Sequence, residues 1–334
     1  MPVLDNILQC IGDTPMVRLS RVNPFPGCEL LGKVEFLNPG GSTKDRIAYR
    51  MVVEAEKAGQ IKPGDTLIEA TSGNTGIGLA MAGAVLGYKV IIVMPEKMSQ
   101  EKQRTMEGLG AQIIRTDTAA AHDSPDSNFG VAERLHKAIP NSHILGQFEN
   151  PANPQAHFDG TAVEIIDQCD GRLDYFVAGA GTGGTLTGVA GRLKAAIPNC
   201  QIVGADPVGS LIGGGDLNAP YQVEGIGYDF VPETMDMSLV DRWEKVDDAE
   251  SFYWAHQLIR KEGMLVGGSS GTVLAAAMRI AKECTNGERI CVVLADNVRN
   301  YMSKFLSNDW LVANGFEPVA PNKFVDWEAM KSSV

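Results

Sequence analysis

The sequence predicts an α/β protein of two domains, each built on an open, mainly parallel sheet flanked by helices. Short apolar runs rich in β-branched residues alternate along the chain with segments of helical period, and this alternation is typical of α/β architecture. The apolar runs are continuous, which favours strands covered on both faces. The chain of 334 residues exceeds what one hydrophobic core usually organises, so two domains are expected.

Six runs are predicted as strands because each is short, apolar and β-branched. They span 66–70, 89–94, 111–116, 174–180, 201–206 and 290–295. The segment from Asp45 keeps one face apolar through Ile47 and Met51, and Gly59 marks its end as a helix. Similar periodicity predicts helices over 99–109, 127–138, 157–169, 184–196, 250–262 and 270–284. The Pro- and Asn-rich segment 149–154 indicates a crossing between the domains.

Charge and composition argue against several classes of function. The formal net charge of -12 disfavours binding to nucleic acid or to anionic membranes. No run approaches the ~20 apolar residues of a membrane helix, and the N-terminus lacks a signal pattern. The six cysteines are scattered without metal-ligand spacing, and the five histidines are isolated and receive no role. We therefore expect a cytoplasmic protein with reduced thiols and no bound metal.

The first chemical motif is NPGGSTKDR, residues 38–46. Two glycines and small hydroxyl residues predict a tight turn, and Lys44 follows where a helix begins. The helix dipole disfavours a cation there, which lowers the pKa of Lys44 and favours the uncharged amine that attacks an aldehyde. A surface lysine after a turn is the alternative. The spacing of a P-loop is absent.

The second motif is EATSGNTGIGLA, residues 69–80. A strand runs into a loop of small and hydroxyl residues, and a helix follows. Backbone N–H groups at such a helix start can bind an anion, and a substrate α-carboxylate would suit this loop. A simple N-capped helix is the alternative interpretation.

The third motif is VAGAGTGGTLTG, residues 177–188, where a strand again enters a Gly-rich loop before a helix. This pattern predicts a phosphate-binding loop, and its threonines suit a phosphate monoester. Gly179, Gly181 and Gly184 also fit GxGxxG, and Asp206 closes the next strand about 22 residues further on, as in dinucleotide-binding proteins. A nicotinamide-dependent oxidoreductase is therefore an alternative from another class, although it leaves the first two motifs unexplained.

The fourth motif is LVGGSSGT, residues 265–272, another Gly-rich turn that opens a helix. The hydroxyl of Ser269 or Ser270 could point at a ligand. Taken alone, the motif also fits a capped helix.

Together and in this order, the four motifs resemble fold-type II pyridoxal-phosphate enzymes of the cysteine synthase and cystathionine β-synthase family. The likeness runs from IGDTPMVRL (11–19) to about Trp310. It implies that Lys44 carries the cofactor as a Schiff base and moves the proton at the substrate Cα. Asn74 would hydrogen-bond the ring hydroxyl of the cofactor, and Ser269 would face its pyridine nitrogen. The phosphate would be bound by Gly181, Thr182, Gly183, Gly184 and Thr185. The substrate would be bound by Thr71, Ser72, Asn74, Thr75, Gln147, Gly227 and Tyr228.

A serine beside the pyridine nitrogen has a chemical implication. Unlike a carboxylate, a neutral hydroxyl does not stabilise a protonated pyridinium, so the ring is a weaker electron sink. Expulsion of a leaving group from Cβ is then favoured over transamination. The resemblance thus implies β-replacement on an amino acid of the serine type.

The substrates follow from finer resemblances. Segments 95–102, 223–236 and 295–310 resemble the cystathionine β-synthases, as does 115–127. They imply condensation of L-serine with L-homocysteine to L-cystathionine and water, with L-cysteine or sulfide as further substrates and hydrogen sulfide as a further product. Segment 146–158 instead resembles cysteine synthases, with Phe148 where cystathionine β-synthases commonly carry tyrosine. A cysteine synthase that uses O-acetylserine or serine with sulfide is the alternative.

The resemblance also implies domain organisation and assembly. Residues 1–45 and 151–325 would form a larger domain that binds the cofactor phosphate, and 46–150 a smaller mobile domain that binds the substrate carboxylate. A homodimer is expected. Few residues precede IGDTP, and the chain ends soon after Trp310. We therefore expect neither a haem-binding segment, and hence no haem, nor a C-terminal regulatory domain.

Overall fold

Two sheets organise the chain in the computed structural model, which describes residues 3–118, 120, 124–215 and 219–320. The larger sheet has six strands in the order β1-β2-β10-β7-β8-β9, and the smaller has four in the order β5-β4-β3-β6. The strands are β1 (Met16–Arg18), β2 (Cys28–Val34), β3 (Thr66–Ala70), β4 (Lys89–Pro95), β5 (Gln112–Thr116), β6 (Ser142–Ile144), β7 (Tyr175–Gly179), β8 (Gln201–Pro207), β9 (Arg242–Val246) and β10 (Glu288–Leu294). Only β1 pairs antiparallel among these strands. The predicted α/β class with mainly parallel sheets is confirmed.

Helices cover both sheets. They are α1 (Lys44–Lys57), α2 (Asn74–Leu86), α3 (Gln100–Gly108), α4 (Asn128–Ala138), α5 (Ala152–Ala156), α6 (Ala162–Gln168), α7 (Gly184–Ala196), α8 (Asp248–Gln257), α9 (Gly268–Ala281) and α10 (Asn308–Ala313). A π-helical turn, His157–Thr161, joins α5 to α6, and another, Leu258–Glu262, extends α8. None of the helices in the described ranges is long and apolar enough to cross a membrane.

All six predicted strands are present within one or two residues, whereas β1, β2, β6 and β9 are strands that the local sequence pattern does not predict. The missed strands are short or carry charged residues. In β2, the fully buried Lys33 interrupts the apolar run, and the fold tolerates it because Glu164 accepts a hydrogen bond from Lys33 Nζ at 2.5 Å. Glu164 lies 131 residues away from Lys33 in the sequence, so no local pattern predicts this pair.

The helix expected over 157–169 begins earlier, at Ala152. Segment 149–154, whose Pro and Asn content predicts a crossing between the domains, also contains the start of this helix. Here Pro151 immediately precedes α5 and Pro154 lies in its first turn, positions where the missing N–H of proline has no helical partner. The proline-rich segment therefore starts a helix. The helix predicted from Asp45 does end before Gly59, which has a φ of +69°.

Close packing of α1 on α2 places the starts of these helices side by side. Gly78 of α2 makes this possible, because a Cβ at that position would lie 2.7 Å from the Cβ of Ala48 in α1. Ala48 and Ile47 are fully buried. The contact brings Lys44, the first residue of α1, next to Asn74, the first residue of α2.

Candidate active site

Four helices begin around one cavity, beside the carboxyl ends of several strands of the two sheets. Lys44 of α1, Asn74 of α2, Thr185 of α7 and Ser269 of α9 all line this cavity. The strands β3, β7 and β10 end here, as is usual for ligand sites in parallel sheets. Because the N-terminus of each helix carries a partial positive charge, the cavity favours an anionic ligand. The four sequence motifs thus meet in space.

The amine of Lys44 is the reactive group of the cavity. Burial lowers its pKa, and the positive charge of Lys102 adds to this, while Asp296 and Glu35 act in the opposite direction. None of the described residues is a hydrogen-bond or ion-pair partner of Lys44 Nζ. The direction of this shift favours the uncharged amine, which is the form that attacks an aldehyde. The sequence-based expectation for this side chain and the direction of its pKa agree.

The predicted phosphate loop lies between β7 and α7 and is supported from behind. Asn153 donates a hydrogen bond to Thr182 Oγ1 at 2.9 Å, and His157 Nε2 lies 3.2 Å from Thr185 Oγ1. Burial lowers the pKa of His157 to about 3, so this ring is neutral at physiological pH. Neither supporting residue has a role that the sequence predicts, because both belong to a segment about 30 residues before the loop.

Glycines let the loop pack where side chains would not fit. A Cβ on Gly184 would overlap Asn153 Oδ1, and a Cβ on Gly181 would lie 2.5 Å from the carbonyl oxygen of Gly225. Gly183 has a φ of +84°, a conformation that disfavours other residues. Gly225, which also lines the cavity, would meet no atom within 4 Å if it carried a Cβ. The cavity therefore has open space beside Gly225 for a ligand.

The predicted carboxylate loop is hydrogen-bonded to Gln147. Thr75 Oγ1 donates to Gln147 Oε1 at 2.6 Å, and Gln147 Nε2 donates to the carbonyl of Ala70 at 2.9 Å. The hydroxyl of Thr71 accepts from the backbone N–H of Gly73 at 3.1 Å. The structure therefore brings Gln147 to this loop, as the resemblance implied, although some 70 residues separate them.

An aromatic pocket opens beside the first cavity and shares Ile226 with it. Its lining includes Ser72, Phe129, Phe148, Gly227, Tyr228 and Phe230. The ring of Tyr228 meets that of Phe148 edge-on, with 5.1 Å between centroids. Burial raises the pKa of Tyr228 to about 12, and Ser72 hydrogen-bonds its hydroxyl. The predicted substrate residues Ser72, Gly227 and Tyr228 thus face this pocket rather than the cavity of Lys44.

Asp296 is a site residue that the sequence analysis did not identify. It lines the cavity with Lys44 and is 2% exposed. Asn74 Nδ2 donates to its Oδ2 at 2.7 Å, and Tyr301 donates to the same oxygen at 2.5 Å. A buried ion pair between Lys102 Nζ and Glu224, 2.7 Å long, lies nearby. Asn74 and Asp296 are 222 residues apart in the sequence, so no local periodicity indicates that they meet.

The structure removes the basis for the dinucleotide alternative. Asp206, which would have to reach a ribose hydroxyl, is fully buried. Its Oδ2 receives hydrogen bonds from Lys245 Nζ at 2.7 Å and from the backbone N–H of Gly213 at 2.8 Å. Its side chain therefore serves packing in the larger sheet and is not available to a ligand.

The residues fit pyridoxal phosphate. A lysine with a lowered pKa suits its aldehyde, and the threonine- and glycine-lined start of α7 suits its phosphate. Fold and site together define a pyridoxal-phosphate enzyme of fold-type II. Residues 7–296 match the family described as pyridoxal-phosphate dependent enzyme. The chain belongs to that family.

Several individual proteins are similar in sequence to this chain. The chain is 55% identical over 318 residues to a cystathionine beta-synthase of Dictyostelium discoideum, covering 94% of this chain and 64% of the relative. It is 57% identical over 321 residues to the protein of that name from Oryctolagus cuniculus, covering 94% and 58%. The chain thus spans less than two thirds of the length of these two relatives.

Solved structures show the same fold. O-ureido-L-serine synthase superposes with a TM-score of 0.88 at 35% identity, covering 98% of this chain and all of that one. O-acetylserine dependent cystathionine beta-synthase from Helicobacter pylori superposes with a TM-score of 0.84 at 38% identity, covering 91% and 99%. At these identities the likeness extends to the whole two-sheet architecture.

Proposed function

We propose that this chain catalyses β-replacement, condensing L-serine with L-homocysteine to give L-cystathionine and water. In this reaction the bond from Cβ to oxygen breaks and a bond from Cβ to sulfur forms. The observation that carries the proposal is the buried, lysine-bearing cavity that adjoins both a phosphate-type loop and a carboxylate-type loop. The names of the relatives at 55–57% identity support the choice of substrates.

The residues around the cavity divide into those for the cofactor and those for the amino acid. For the cofactor we assign Lys44 to the aldehyde, Asn74 to the ring hydroxyl, Ser269 to the pyridine nitrogen, and Gly181, Thr182, Gly183, Gly184 and Thr185 to the phosphate. For the substrate carboxylate we assign Thr71, Ser72, Asn74, Thr75 and Gln147. When bound, pyridoxal phosphate supplies the electron sink that allows the Cα proton of the amino acid to leave.

Lys44 is the group that we assign to proton transfer at Cα. Its pKa is lowered by burial, so the free amine can accept the Cα proton once it no longer holds the cofactor. The aromatic pocket beside Ser72 would receive the second substrate, since its walls suit an aliphatic thiol and keep water from the reacting Cβ. Gly227 and Tyr228 would contact substrate there.

One observation favours the cysteine synthase alternative. Phe148, which stands where cystathionine β-synthases commonly carry tyrosine, lines the aromatic pocket opposite Tyr228. It offers no hydroxyl to a polar second substrate or to a departing hydroxide. Sulfide, or an ester leaving group such as acetate, has less need of one. The similar structure from Helicobacter pylori is that of an O-acetylserine dependent enzyme.

We further propose a cytoplasmic homodimer in which residues 46–150 form a mobile domain that closes over the bound amino acid. The four-stranded sheet falls within this range and the six-stranded sheet outside it, which supports a division near these positions. Of the described cysteines only Cys10 is exposed and none is disulfide-bonded, in keeping with a reducing compartment.

The first test is the visible spectrum of the purified protein with pyridoxal phosphate. We expect a yellow protein, and loss of the visible band and of turnover in Lys44→Ala. Lys57→Ala is the matched control, because Lys57 lies on the same helix with an exposed side chain that pairs only with Glu54 among described residues. A colourless wild-type protein that stays colourless with added cofactor would overturn the proposal.

The second test separates the two candidate functions. L-serine alone should change the spectrum if hydroxide can be expelled, and homocysteine should then yield cystathionine by mass spectrometry. A protein that is silent to serine but responds to O-acetylserine, and that makes cysteine from sulfide and no cystathionine from homocysteine, would be a cysteine synthase.

A further inference from the structure

Asn74 is held by two partners that belong to the loop after β10. Its Nδ2 donates to Asp296 Oδ2 at 2.7 Å, and its Oδ1 accepts from Asn300 Nδ2 at 3.0 Å. All three side chains are at most 9% exposed. Asn74 comes from the start of α2 beside the smaller sheet, whereas Asp296 and Asn300 follow the larger sheet. The amide is therefore clamped across the cavity.

The chemistry of the partners decides which way the amide faces. Asp296 Oδ2 receives hydrogen bonds from both Asn74 and Tyr301, so this oxygen acts as an acceptor. An amide that meets an acceptor on one side and the N–H donor of Asn300 on the other has one favourable orientation. In that orientation Asn74 Oδ1 accepts from Asn300, and one of the two hydrogens on Nδ2 is donated to Asp296. Asn74 lines the cavity, and its amide also interacts with the hydroxyl of Tyr301, so the second N–H lies between that hydroxyl and a ligand in the cavity.

The surroundings of Asp296 keep its carboxyl group in place. A Cβ on Gly267 would overlap its Oδ1, so the close glycine backbone leaves little freedom. This Oδ1 is buried and has no hydrogen-bond partner among the described residues. Lys102, whose amine lies 4.5 Å from the centroid of the Tyr301 ring, and Lys44 are the cations that face Asp296. An asparagine side chain at position 296 would fit the same space but would remove the charge, and its amide could present an N–H to Asn74 in place of an acceptor oxygen.

We propose that Asp296 is a positioning residue, which orients the amide of Asn74 so that its second N–H is directed at the ring oxygen of the cofactor. This inference rests on the proposed role of Asn74 toward pyridoxal phosphate. Asn300 fixes the same orientation from the opposite side. Asp296 itself acts through Asn74 and needs no contact with substrate.

The test is a double-mutant cycle on the cofactor-loaded protein. Asp296→Asn, Asn74→Ala and the double variant are compared by visible absorbance and by the dissociation constant for pyridoxal phosphate. Each single variant should shift intensity between the near-ultraviolet and visible bands and weaken cofactor binding by about tenfold, the loss of about one good hydrogen bond. The double variant should be no worse than Asn74→Ala. Additive effects, or an Asp296→Asn spectrum identical to the wild type, would overturn the inference.

Two further variants guard against a purely structural effect. Tyr301→Phe removes the other donor to Asp296 Oδ2, and with it a hydroxyl that also interacts with the Asn74 amide, but it keeps the bond from Asn74 to Asp296, so its spectrum should shift less than that of Asp296→Asn. If Tyr301→Phe reproduces the change of Asp296→Asn, the inference is wrong. Should Asp296→Asn fail to fold, Asn300→Asp tests the orientation of the Asn74 amide from the other side, because a carboxylate cannot donate a hydrogen bond to Asn74 Oδ1. Its spectrum should then shift like that of Asn74→Ala, and an unshifted spectrum would overturn the inference.

The exposed Asp309→Asn serves as the matched control and should match the wild type. The wild-type spectrum separates the two levels of proposal. A wild-type protein without a cofactor band contradicts the proposed function itself. A normal wild-type band with an unaltered Asp296→Asn contradicts only the role of Asp296.

Discussion

Arg46 and Glu35 form a buried, two-point ion pair immediately behind the reactive lysine. Arg46 Nε donates to Glu35 Oε2 at 2.7 Å, and Nη2 donates to Oε1 at 2.8 Å. Arg46 also donates from Nη1 to Glu164 at 2.6 Å, and the fully buried Lys33 pairs with the same glutamate. Two cations thus balance two carboxylates. Because Arg46 is two residues after Lys44 in α1, the cluster anchors the helix start that presents the amine.

Arg46→Met should lower the free energy of unfolding by about 3–5 kcal/mol, since it leaves Glu35 as a buried carboxylate without its main partner. Urea denaturation measures this. Arg50→Met, one turn later on the same helix, is the control. Its side chain is 32% exposed and pairs with Glu54 and Asp159, so the expected loss is below about 1 kcal/mol. Equal losses in the two variants would contradict a special contribution of the buried cluster.

Stability should fall in acid as the same carboxylates take up protons. Burial by itself would raise the pKa of Glu164, yet hydrogen bonds and the charge of Arg46 lower that pKa to about 2 from an ordinary 4.5. Arg46 likewise lowers the pKa of Glu35 against the effect of burial. Because the folded-state pKa of Glu164 is below the unfolded one, this group stabilises the folded protein fully above about pH 4.5. That stabilisation is lost as the pH falls toward 2. Thermal unfolding from pH 7 to pH 3 should show this decline, with a shallower slope in Arg46→Met.

Gly184→Ala should disrupt the phosphate loop. Its Cβ would overlap Asn153 Oδ1, and overpacking of this kind costs about 1–3 kcal/mol. We expect weaker binding of pyridoxal phosphate, measured by fluorescence titration. Gly108→Ala is the control, because a Cβ there meets no atom within 4 Å at the end of α3. That variant should be neutral or more stable by up to about 1 kcal/mol, and an equal loss of cofactor binding in both would contradict the steric argument.

Lys102→Met should loosen the contact between the two sheets. Lys102 lies on α3 beside the smaller sheet, and its partner Glu224 lies in the connection from β8 to β9 of the larger sheet. Both side chains are buried, with exposures of 0% and 7%. Of the ion pairs among the described residues, only the longer one from Lys304 Nζ to Glu224, at 3.7 Å, then remains for this carboxylate, so the loss should approach the roughly 3–5 kcal/mol of a broken buried pair. Limited proteolysis should be faster in Lys102→Met. Adding Glu224→Gln should restore part of the stability, and no recovery would indicate that lost packing of Lys102 dominates.

The sequence predicted local features well. Each ligand loop is a strand end, a Gly-rich turn and a helix start, and all three are encoded within about a dozen neighbouring residues. The six apolar strands and Lys44 at the start of α1 followed from the same local rules. The resemblance added Gln147, whose hydrogen bond to Thr75 lies beyond any local pattern.

Tertiary structure alone decided the rest. The buried Lys33 in β2, the clamp of Asp296 and Asn300 on Asn74, and the support of Thr182 and Thr185 from α5 and the turn after it each join residues from distant parts of the chain. A charged or polar side chain is stable in the interior only beside its partner. Local sequence specifies where a strand or helix begins, because backbone propensity and periodicity act over a few residues. Which buried charges meet depends on how the two sheets are assembled, and that is settled only when the whole chain has folded.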